Sequence, residues 1–397
     1  MPRPDHLMDA ENAAASLGIS RATLYAYVSR GLIRASEAEG DPRRRLYSAR
    51  DVEALRKRKA VGRRPRQVAE TTLDWGLPIL SSGITLIEGD GLFYRGRDAL
   101  AFAETATLED TARLLWDCGA QDPFAERAAM PEAWDASVYR NVRALPLIER
   151  CQALLPFVAA GRAIAWQRDT RKLWPGAAAL LRAMMAAASL TQPDDAPLHH
   201  HLASAWGQGA DGADILRRAL VLLADHELNA SAFAVRVVAS TGASLGACLN
   251  AGLSALGGPL HGGTTSIVEI LLEEIDAAGD ADAVVEARLR RGEGVPGFDH
   301  PLYPGGDPRA AVLLPLLPPD PSRDALALVM AETAGRMPNI DFALVAIRRA
   351  LGLPPASALA LFAIGRTIGW IAHALEQRDD QKLIRPRARY TGPPARS

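Results

Sequence analysis

Apolar residues follow a helical period through most of this 397-residue chain. From about Thr72 onward they recur mostly every three to four positions, which places them on one face of an α-helix. The clearest segments are TLEDTARLLWDCG, with Thr107 as the expected cap, SRDALALVMAETAGRM and SALALFAIGRTIGWIAHALEQ. Strand-like alternation is scarce outside GITLIEGDGLFYRGRD, which predicts one small hairpin. The body of the chain is therefore predicted to be mainly α-helical.

The most apolar run, from Ser231 to Leu256, is long enough for a membrane span but has a different composition. Arg236 and Asn250 interrupt it, and it is rich in Gly, Ser and Ala, which favours a buried helical hairpin. The N-terminal residues include no apolar leader, and the three cysteines lack metal-ligand spacing, which is typical of a reducing compartment. We therefore expect a cytoplasmic protein that does not bind a membrane. The cysteines are Cys118, Cys151 and Cys248.

Charge is distributed unevenly along the chain. The formal net charge is −1, but residues 1–70 carry 15 Lys and Arg against 9 Asp and Glu. Between Arg43 and Arg66 there are 11 basic residues and two acids. A basic head on an acidic body predicts two domains with different partners, and we place the first domain at residues 1–66.

The first domain has the layout of a helix-turn-helix in AENAAASLGISRATLYAYVSRGLIRA. Gly18 ends the first predicted helix, and Ser20 caps the second, which would lie in a DNA major groove. The following RRRLYSARDVEALRKRK predicts a short basic wing and a third helix capped by Ser48. The stretch resembles the winged-helix DNA-binding domain of MerR-type regulators, which implies salt-dependent binding to phosphates. A docking or dimerisation module with solvated arginines is the alternative. The predicted inward-facing residues are Ala13, Ala14, Leu17, Leu24, Tyr27 and Val28.

The sequence lacks the motifs of several common enzyme classes. It contains no dinucleotide-binding fingerprint, phosphate loop, zinc-ligand spacing or serine-nucleophile elbow. The consecutive His199, His200 and His201 lie in DDAPLHHHL, which is predicted to be a loop, and consecutive side chains do not easily converge on one ion. We therefore predict no metal site.

Four other stretches place polar groups where a helical body does not need them. They are ADHELNAS with His226, GGPLHGG with His261, GVPGFDHPLYPGGDPRA with His300 and Arg309, and MPNIDFALVAI with Asp341. The glycines around His261 let other atoms approach the backbone closely, and the apolar neighbours of Asp341 favour a raised carboxyl pKa, as suits a general base. Each also has a plainer interpretation: a glycine-rich turn for GGPLHGG and a helix N-cap for Asp341.

Together and in this order, the four stretches resemble the signature blocks of citrate synthases. DHELNASAFAVRVVASTGASLGACLNAGLSALGGPLHGG is similar to the central region of that family. IDFALVAIRRALGLP, LFAIGRTIGWIAHALEQ and LIRPRARYTGP are similar to its C-terminal region, and FYRGRD resembles a block near the start of its catalytic body. The resemblance covers about Leu73 to Pro394 and is strongest after residue 220.

The resemblance implies a mostly α-helical homodimer or higher homo-oligomer, with a catalytic domain at residues 72–395. A large helical domain and a smaller one, roughly residues 263–350, would close over the active site. It also implies condensation of oxaloacetate with acetyl-CoA and water to give citrate and CoA, as in the tricarboxylic acid cycle. Acetyl-CoA would be the co-substrate, its acyl group would become an alkyl group on transfer, and no further cofactor would be needed.

The resemblance also implies a role for each of seven residues. Asp341 would remove a methyl proton from acetyl-CoA, and His261 would stabilise the resulting enol or enolate. His300 would polarise and protonate the oxaloacetate carbonyl. Oxaloacetate would be held by His226, Arg309, Arg366 and Arg385, the last reaching in from the other subunit.

Elementary chemistry fits several of these roles. A methyl group beside a thioester is a very weak acid, so the developing negative charge needs a preorganised donor at the oxygen. His261 precedes TTSIVEILLEEI, a predicted helix from about Thr264, whose dipole should lower the histidine pKa and favour a neutral donor. Arg366 lies in an apolar helix, where a guanidinium needs an anionic partner. That partner is either a small dicarboxylate or an acid elsewhere in the protein.

Two features depart from the family pattern. The loop GFDHPLYPGG has Asp299 where the family has glycine, and it lacks the basic residues that usually follow the histidine. We expect Asp299 to favour protonated His300, and we expect the loop to alter acyl-CoA recognition. The N-terminal domain is the second departure. Two alternatives to a citrate synthase therefore stay open: a 2-methylcitrate synthase that uses propionyl-CoA, and a DNA-binding regulator that senses metabolites on the same fold.

Overall fold

The chain forms two units in a computed structural model, Met1–Ser81 and Ser82–Ser397. Each unit has its own cluster of buried apolar side chains. The structure describes residues 7–17, 19, 24–25, 27–28, 33–38, 41–49, 51–52, 80–129, 131, 134–159, 167, 169–388 and 390–393.

The first unit has the predicted helix-turn-helix layout wherever it is described. Helix α1 (Ala10–Leu17) lies beside an antiparallel sheet of β1 (Leu7–Met8), β3 (Asp41–Ser48) and β2 (Ala35–Ala38), in that order. The predicted inward-facing residues are buried or pack against the buried cluster. The N–H of Asp51 donates to Ser48 Oγ (3.3 Å), as expected for the cap of the third helix. Gly18, Ser20, most of the predicted third helix and most of the basic run lie outside the described residues.

The second unit is mainly helical in its described part, as predicted. A small sheet in this described part contains β4 (Thr85–Glu88), β5 (Gly91–Tyr94) and β6 (Arg97–Asp98), so the expected hairpin gains a third short strand. The helices as far as residue 223 are α2 (Ala99–Ala103), α3 (Leu108–Leu115), α4 (Ala136–Val142), α5 (Leu147–Leu154), α6 (Pro156–Ala159), α7 (Trp174–Ser189), α8 (Leu198–Ala205) and α9 (Ala210–Leu223). The later helices are α10 (Ala230–Ser240), α11 (Leu245–Leu256), α12 (Thr264–Ala278), α13 (Ala281–Arg290), α14 (Pro308–Leu313), α15 (Pro321–Ala334), α16 (Ile340–Ala350) and α17 (Ser357–Asp380). Short 3₁₀ turns occupy Thr170–Leu173 and Leu314–Leu316.

Helix ends follow the capping residues that the sequence supplies. Thr107 caps α3 in a reciprocal arrangement with Asp110, which satisfies two of the free backbone N–H groups at the start of the helix. Gly335 ends α15 in the left-handed conformation that glycine adopts without steric cost. Helices α10 and α11 form the predicted buried hairpin, because both present apolar faces to α17.

Helix α17 is the centre of the second unit. It packs against α7, α9, α10, α11 and α16. Of the helices described, α17 alone is long and apolar enough to cross a membrane, but 94% of its most apolar window is buried inside the protein. Core helices of soluble proteins meet the same criteria, so its length and composition are explained by packing.

The sequence predicted a loop for the histidine triplet, but the structure places it in a helix. His199, His200 and His201 belong to the first turn of α8, where burial of Leu198, His199 and Leu202 fixes a helical register. His201 contacts Asp194 through Nδ1 (2.9 Å) and Thr191 through Nε2 (2.7 Å). In the part of the chain that the structure describes, no group of three or more His, Cys, Asp or Glu side chains is arranged to hold a metal ion.

Candidate active site

The candidate site is built around the C-terminal end of α9, where helix carbonyl groups need partners from outside the helix. The Tyr94 hydroxyl lies 3.0 Å from the Val221 carbonyl oxygen, and Arg366 Nε donates to the Leu223 carbonyl (3.0 Å). These contacts bring β5 and α17 against the end of α9. The chain then turns through His226, so the turn that carries this histidine is fixed on two sides.

His226 and His300 meet beside Tyr303. The two imidazole centroids are 4.8 Å apart, edge to face, and His226 Nε2 lies 3.0 Å from the Tyr303 hydroxyl. Burial, together with the positive charge of Arg309, lowers the pKa of His300 to about 4 and that of His226 well below its usual value. Both rings are therefore neutral near pH 7. The N–H of Leu302 donates to His300 Nδ1 (3.2 Å), which leaves Nε2 as the protonated nitrogen of the neutral ring.

Asp299 does not keep His300 in its protonated form, contrary to the expectation from the sequence. Its carboxylate faces Arg336 (3.3 Å) and accepts the N–H of Met337 (3.3 Å), and the carboxylate whose charge acts on His300 is that of Asp307. The backbone explains why the family pattern has glycine at this position, because Asp299 has a φ of 57°. Aspartate tolerates this left-handed conformation better than most residues.

Arg309 is anchored by Asp307, two residues earlier. Its Nε and Nη2 donate to the two Asp307 carboxylate oxygens at 2.9 and 2.7 Å, and the same carboxylate accepts the N–H of Ile340 (3.0 Å). Both side chains of the pair are almost completely buried. The pair therefore links the loop of His300 to the start of α16, and the Arg309 charge acts on the neighbouring histidines.

Arg366 has a buried guanidinium whose two Nη groups are unengaged. Only Nε has a hydrogen-bond acceptor among the described residues, while the group stacks over Phe362 at 4.9 Å. Burial lowers the pKa of Arg366 to about 10, although the Asp225 carboxylate opposes this effect. An arginine that is buried in this way can bind a carboxylate through its free edge.

Asp341 is not the helix cap that the plainer interpretation suggested. Asn339 caps α16 instead, and its side chain accepts the N–H groups of Asp341 (3.0 Å) and Phe342 (3.3 Å). Asp341 Oδ1 is buried and has no hydrogen-bond partner in the described part of the chain. Burial raises the pKa of this carboxyl to about 7, against the opposing charge of Arg309. A carboxylate in this state is a stronger base than an exposed one.

His261 also contacts Phe362, with its ring centroid 5.9 Å from the phenyl centroid. Its Nε2 is 3.0 Å from Ser231 Oγ, which also accepts the indole N–H of Trp370 (3.1 Å). The pKa falls to about 4, mainly through burial and secondly through the charge of Arg366. The predicted helix does begin at Thr264, but burial rather than its dipole is the main cause of the lowered pKa.

Arg385 is the one predicted site residue that the fold of a single chain leaves apart. It is exposed in the irregular segment after α17, and it makes no hydrogen bond within the described residues. Sequence reasoning missed three residues that the structure places in the site: Ser231, Tyr303 and Asp307. The spacing of Asp307 and Arg309 at the start of a helix could have identified Asp307 from the sequence. No local sequence pattern distinguishes Ser231 or Tyr303 as site residues.

Comparisons with known proteins give matches to both parts of the chain. The family model described as citrate synthase, C-terminal domain, matches residues 72–387, and a helix-turn-helix domain model matches residues 7–60. Citrate synthase 2 of Bacillus subtilis is 30% identical over 356 residues, which cover 80% of this chain and 95% of the relative. The 2-methylcitrate synthase of Shewanella oneidensis is 28% identical over 343 residues, which cover 77% and 90% of the two chains.

A solved structure gives the same result for the fold. Citrate synthase from Thermotoga maritima superposes with a TM-score of 0.68 at 28% identity, and the match covers 81% of this chain and 96% of that one. Enzymes of this group are condensing acyltransferases that need no cofactor beyond the acyl-CoA substrate. With a helix-turn-helix domain at its N-terminus, this chain belongs to the citrate synthase family.

Proposed function

We propose that the protein condenses oxaloacetate with acetyl-CoA and water to give citrate and CoA. One observation carries the proposal: Asp341, whose Oδ1 is buried and unpartnered, and the neutral His261 and His300 are all within the electrostatic influence of Arg366, whose guanidinium has a free edge. A base, neutral donors and a carboxylate-binding cation are the groups that this condensation requires.

In the first step, Asp341 takes a proton from the methyl group of acetyl-CoA, and negative charge develops on the thioester oxygen. The neutral imidazole of His261, whose Nε2 lies 3.0 Å from Ser231 Oγ, is the donor to that oxygen. A neutral donor stabilises the enol or enolate without forming an ion pair with Asp341.

In the second step, the enol carbon attacks the ketone carbon of oxaloacetate. His300 polarises this carbonyl through Nε2–H and gives its proton to the new alkoxide oxygen. Arg366 binds one substrate carboxylate through its Nη groups, His226 and Arg309 line the same pocket, and Arg385 reaches in from the partner subunit. Water then cleaves the thioester of citryl-CoA, which releases CoA.

The decisive experiment measures CoA release from the purified protein with oxaloacetate and acetyl-CoA. Asp341→Asn should lower turnover by at least about a hundredfold while oxaloacetate still binds, because the base is lost and the shape is kept. Asp282→Asn, an exposed change of the same kind in α13, should leave turnover within about twofold. An inactive parent protein, or an active Asp341→Asn protein, would contradict the proposal.

A second candidate is 2-methylcitrate synthesis, and the Shewanella relative favours testing it. Propionyl-CoA differs from acetyl-CoA by one methylene, which a hydrophobic pocket discriminates by only about 10- to 200-fold. The same assay with propionyl-CoA decides between the two. A larger kcat/KM for propionyl-CoA would replace citrate with 2-methylcitrate as the product.

We also propose that residues 1–66 are a separate DNA-binding domain. Residues 72–395 would then be the catalytic part, with a small subdomain at about residues 263–350. We propose further that the enzyme is a cytoplasmic homodimer. The helix-turn-helix match and the exposed Arg45 on β3 support DNA binding. Binding to duplex DNA should weaken steeply as salt rises. If the isolated enzyme shows no salt-sensitive binding to mixed genomic fragments, residues 1–66 serve docking or dimerisation instead.

A further inference from the structure

The core of the second unit contains a buried aspartate–histidine contact that the proposed chemistry does not use. Asp225 and His373 are both 0% exposed, and His373 Nε2 lies 3.2 Å from Asp225 Oδ1. The Thr85 hydroxyl donates to Asp225 Oδ2 at 2.6 Å. A carboxylate buried this deeply is costly unless charged or hydrogen-bonding groups surround it, so its presence requires a reason.

The pair is joined to the candidate site through the backbone. Asp225 directly precedes His226, and its Oδ2 also accepts the N–H of Glu227 (3.2 Å). Glu227 has a φ of 56°, a left-handed conformation that is unfavourable for a residue with a β-carbon. The Asp225 side chain therefore stabilises the strained turn that presents His226 to Tyr303.

The pair is also joined to the site through α17. Arg366, Gly369 and His373 recur at helical spacing, so one face of this helix carries both the free guanidinium and the buried imidazole. The N–H of Gly369 donates to the Ala224 carbonyl (2.9 Å). A β-carbon at Gly369 would lie 2.3 Å from Asp225 Oδ1, so only glycine allows this approach.

Asp225 and Arg366 attract each other, and this attraction competes with substrate binding. Burial alone would raise the pKa of the Asp225 carboxyl, but His373, Arg366 and Thr85 together hold it below its usual value, so the group is ionised. An ionised carboxylate whose charge acts on Arg366 is an internal rival for a substrate carboxylate. The Thr85 hydroxyl donates to Asp225 Oδ2 and His373 Nε2 lies 3.2 Å from Oδ1, so both oxygens have polar neighbours other than Arg366, whose Nη groups stay free.

We propose that His373 is a positioning residue that, with Thr85, holds the Asp225 carboxylate so that Arg366 remains available to a substrate carboxylate and the His226 turn keeps its shape. The proposal rests on oxaloacetate as the substrate. Its distinctive consequence is that His373 influences the binding of the dicarboxylate rather than that of the acyl-CoA.

The test compares His373→Leu and His373→Gln with His201→Leu. Leucine removes the polar group beside Asp225 Oδ1, whereas the Gln side-chain amide keeps an N–H donor in its place. His201 is a matched control, because it is also buried and paired with an aspartate but belongs to α8. We expect His373→Leu to raise the oxaloacetate KM and the calorimetric oxaloacetate Kd at least tenfold, with the acetyl-CoA KM within about threefold of the parent. His373→Gln should recover most of this loss, and His201→Leu should lower stability without changing either KM.

A double variant separates positioning from simple stability. Asp225→Asn in the His373→Leu protein removes the rival charge, so its oxaloacetate affinity should be higher than that of His373→Leu alone. If the pair were purely structural, the double variant would bind oxaloacetate no better than His373→Leu. If His373→Leu does not fold, Thr85→Val tests the same idea, with an expected oxaloacetate KM increase of about three- to tenfold. Parent-like oxaloacetate binding in the folded variants would overturn the inference. Parent protein that neither binds oxaloacetate nor releases CoA would instead overturn the proposed function.

Discussion

At the residue scale, the site shows how environment separates groups of the same chemical type. Asp307 and Asp341 are both at least partly buried near Arg309, but only Asp307 forms the bidentate ion pair. The pKa of Asp307 is therefore below its usual range, although burial alone would raise it, while that of Asp341 is raised to about 7. Asp307 therefore stabilises the structure of the site, whereas Asp341 can accept a proton near neutral pH.

This separation predicts the pH dependence of the reaction. Asp341 must be ionised to act as a base, so kcat/KM should rise about tenfold per pH unit up to about pH 7 and then level off. His261 and His300, with pKa values of about 4, stay neutral throughout this range and add no second limb above pH 5.5. Initial rates of CoA release between pH 5.5 and 8.5, at subsaturating acetyl-CoA, measure the profile. A flat or falling profile would remove Asp341 as the titrating base.

The same pKa shift predicts an effect on stability with a definite sign. The pKa of Asp341 is higher in the folded than in the unfolded protein, so its contribution to stability is present at low pH and is lost as pH rises from about 4 to 7. Asp341→Asn carries no charge to bury, so its stability advantage over the parent should grow over that interval. Thermal melts at pH 5 and pH 8 give the comparison, with Asp282→Asn as the control that shows no such growth.

At the element scale, the sequence was sufficient where local rules decide the structure. The cap at Thr107, the Gly335 stop and the apolar faces of α10, α11 and α17 follow from spacing and capping preferences. Prediction from the sequence was wrong where a contact between residues far apart in the chain decides the structure. DDAPLHHHL has the composition of a loop, but burial of Leu198 and Leu202 makes the segment from Leu198 onward a helix. The direction of the Asp299 side chain depended on Arg336, which no local pattern places nearby.

The packing of α17 on the end of α9 depends on a glycine and predicts a contrast between two Gly→Ala variants. At Gly369 the new methyl group would lie 2.5 Å from the Ala224 carbonyl oxygen, so Gly369→Ala should lower the free energy of unfolding by about 1–3 kcal/mol and weaken oxaloacetate binding. Gly176 in α7 has open space at the same position, so Gly176→Ala should be neutral or stabilise by up to about 1 kcal/mol. Urea unfolding gives both values. Equal effects of the two substitutions would show that helix propensity, not close packing, governs Gly369.

At the scale of the whole molecule, the single chain does not bring together all the groups that the proposed reaction needs. Arg366 offers one guanidinium edge, and Arg309 is already paired with Asp307, although oxaloacetate carries two carboxylates. Arg385 is exposed, but its segment is tied to the protein, because the N–H of Ile384 donates to Ser240 Oγ (3.1 Å). A segment that is bound to its own subunit at Ile384 and exposes Arg385 directly afterwards is suited to contribute that arginine to the partner's site.

A mixed dimer tests this arrangement. Arg385→Ala should raise the oxaloacetate requirement by roughly thirty- to a thousandfold, since a charge-assisted contact is lost, whereas Arg387→Ala, two residues further on, should change it little. Arg385→Ala and Asp341→Asn proteins, each nearly inactive alone, should regain activity when refolded together. Half of the dimers formed from an equal mixture contain both chains, and each then has one site with both native residues, so about a quarter of parental activity should return. If Arg385 acted in its own subunit, every site would lack one residue and no activity would return, even with mixed dimers isolated through two different affinity tags.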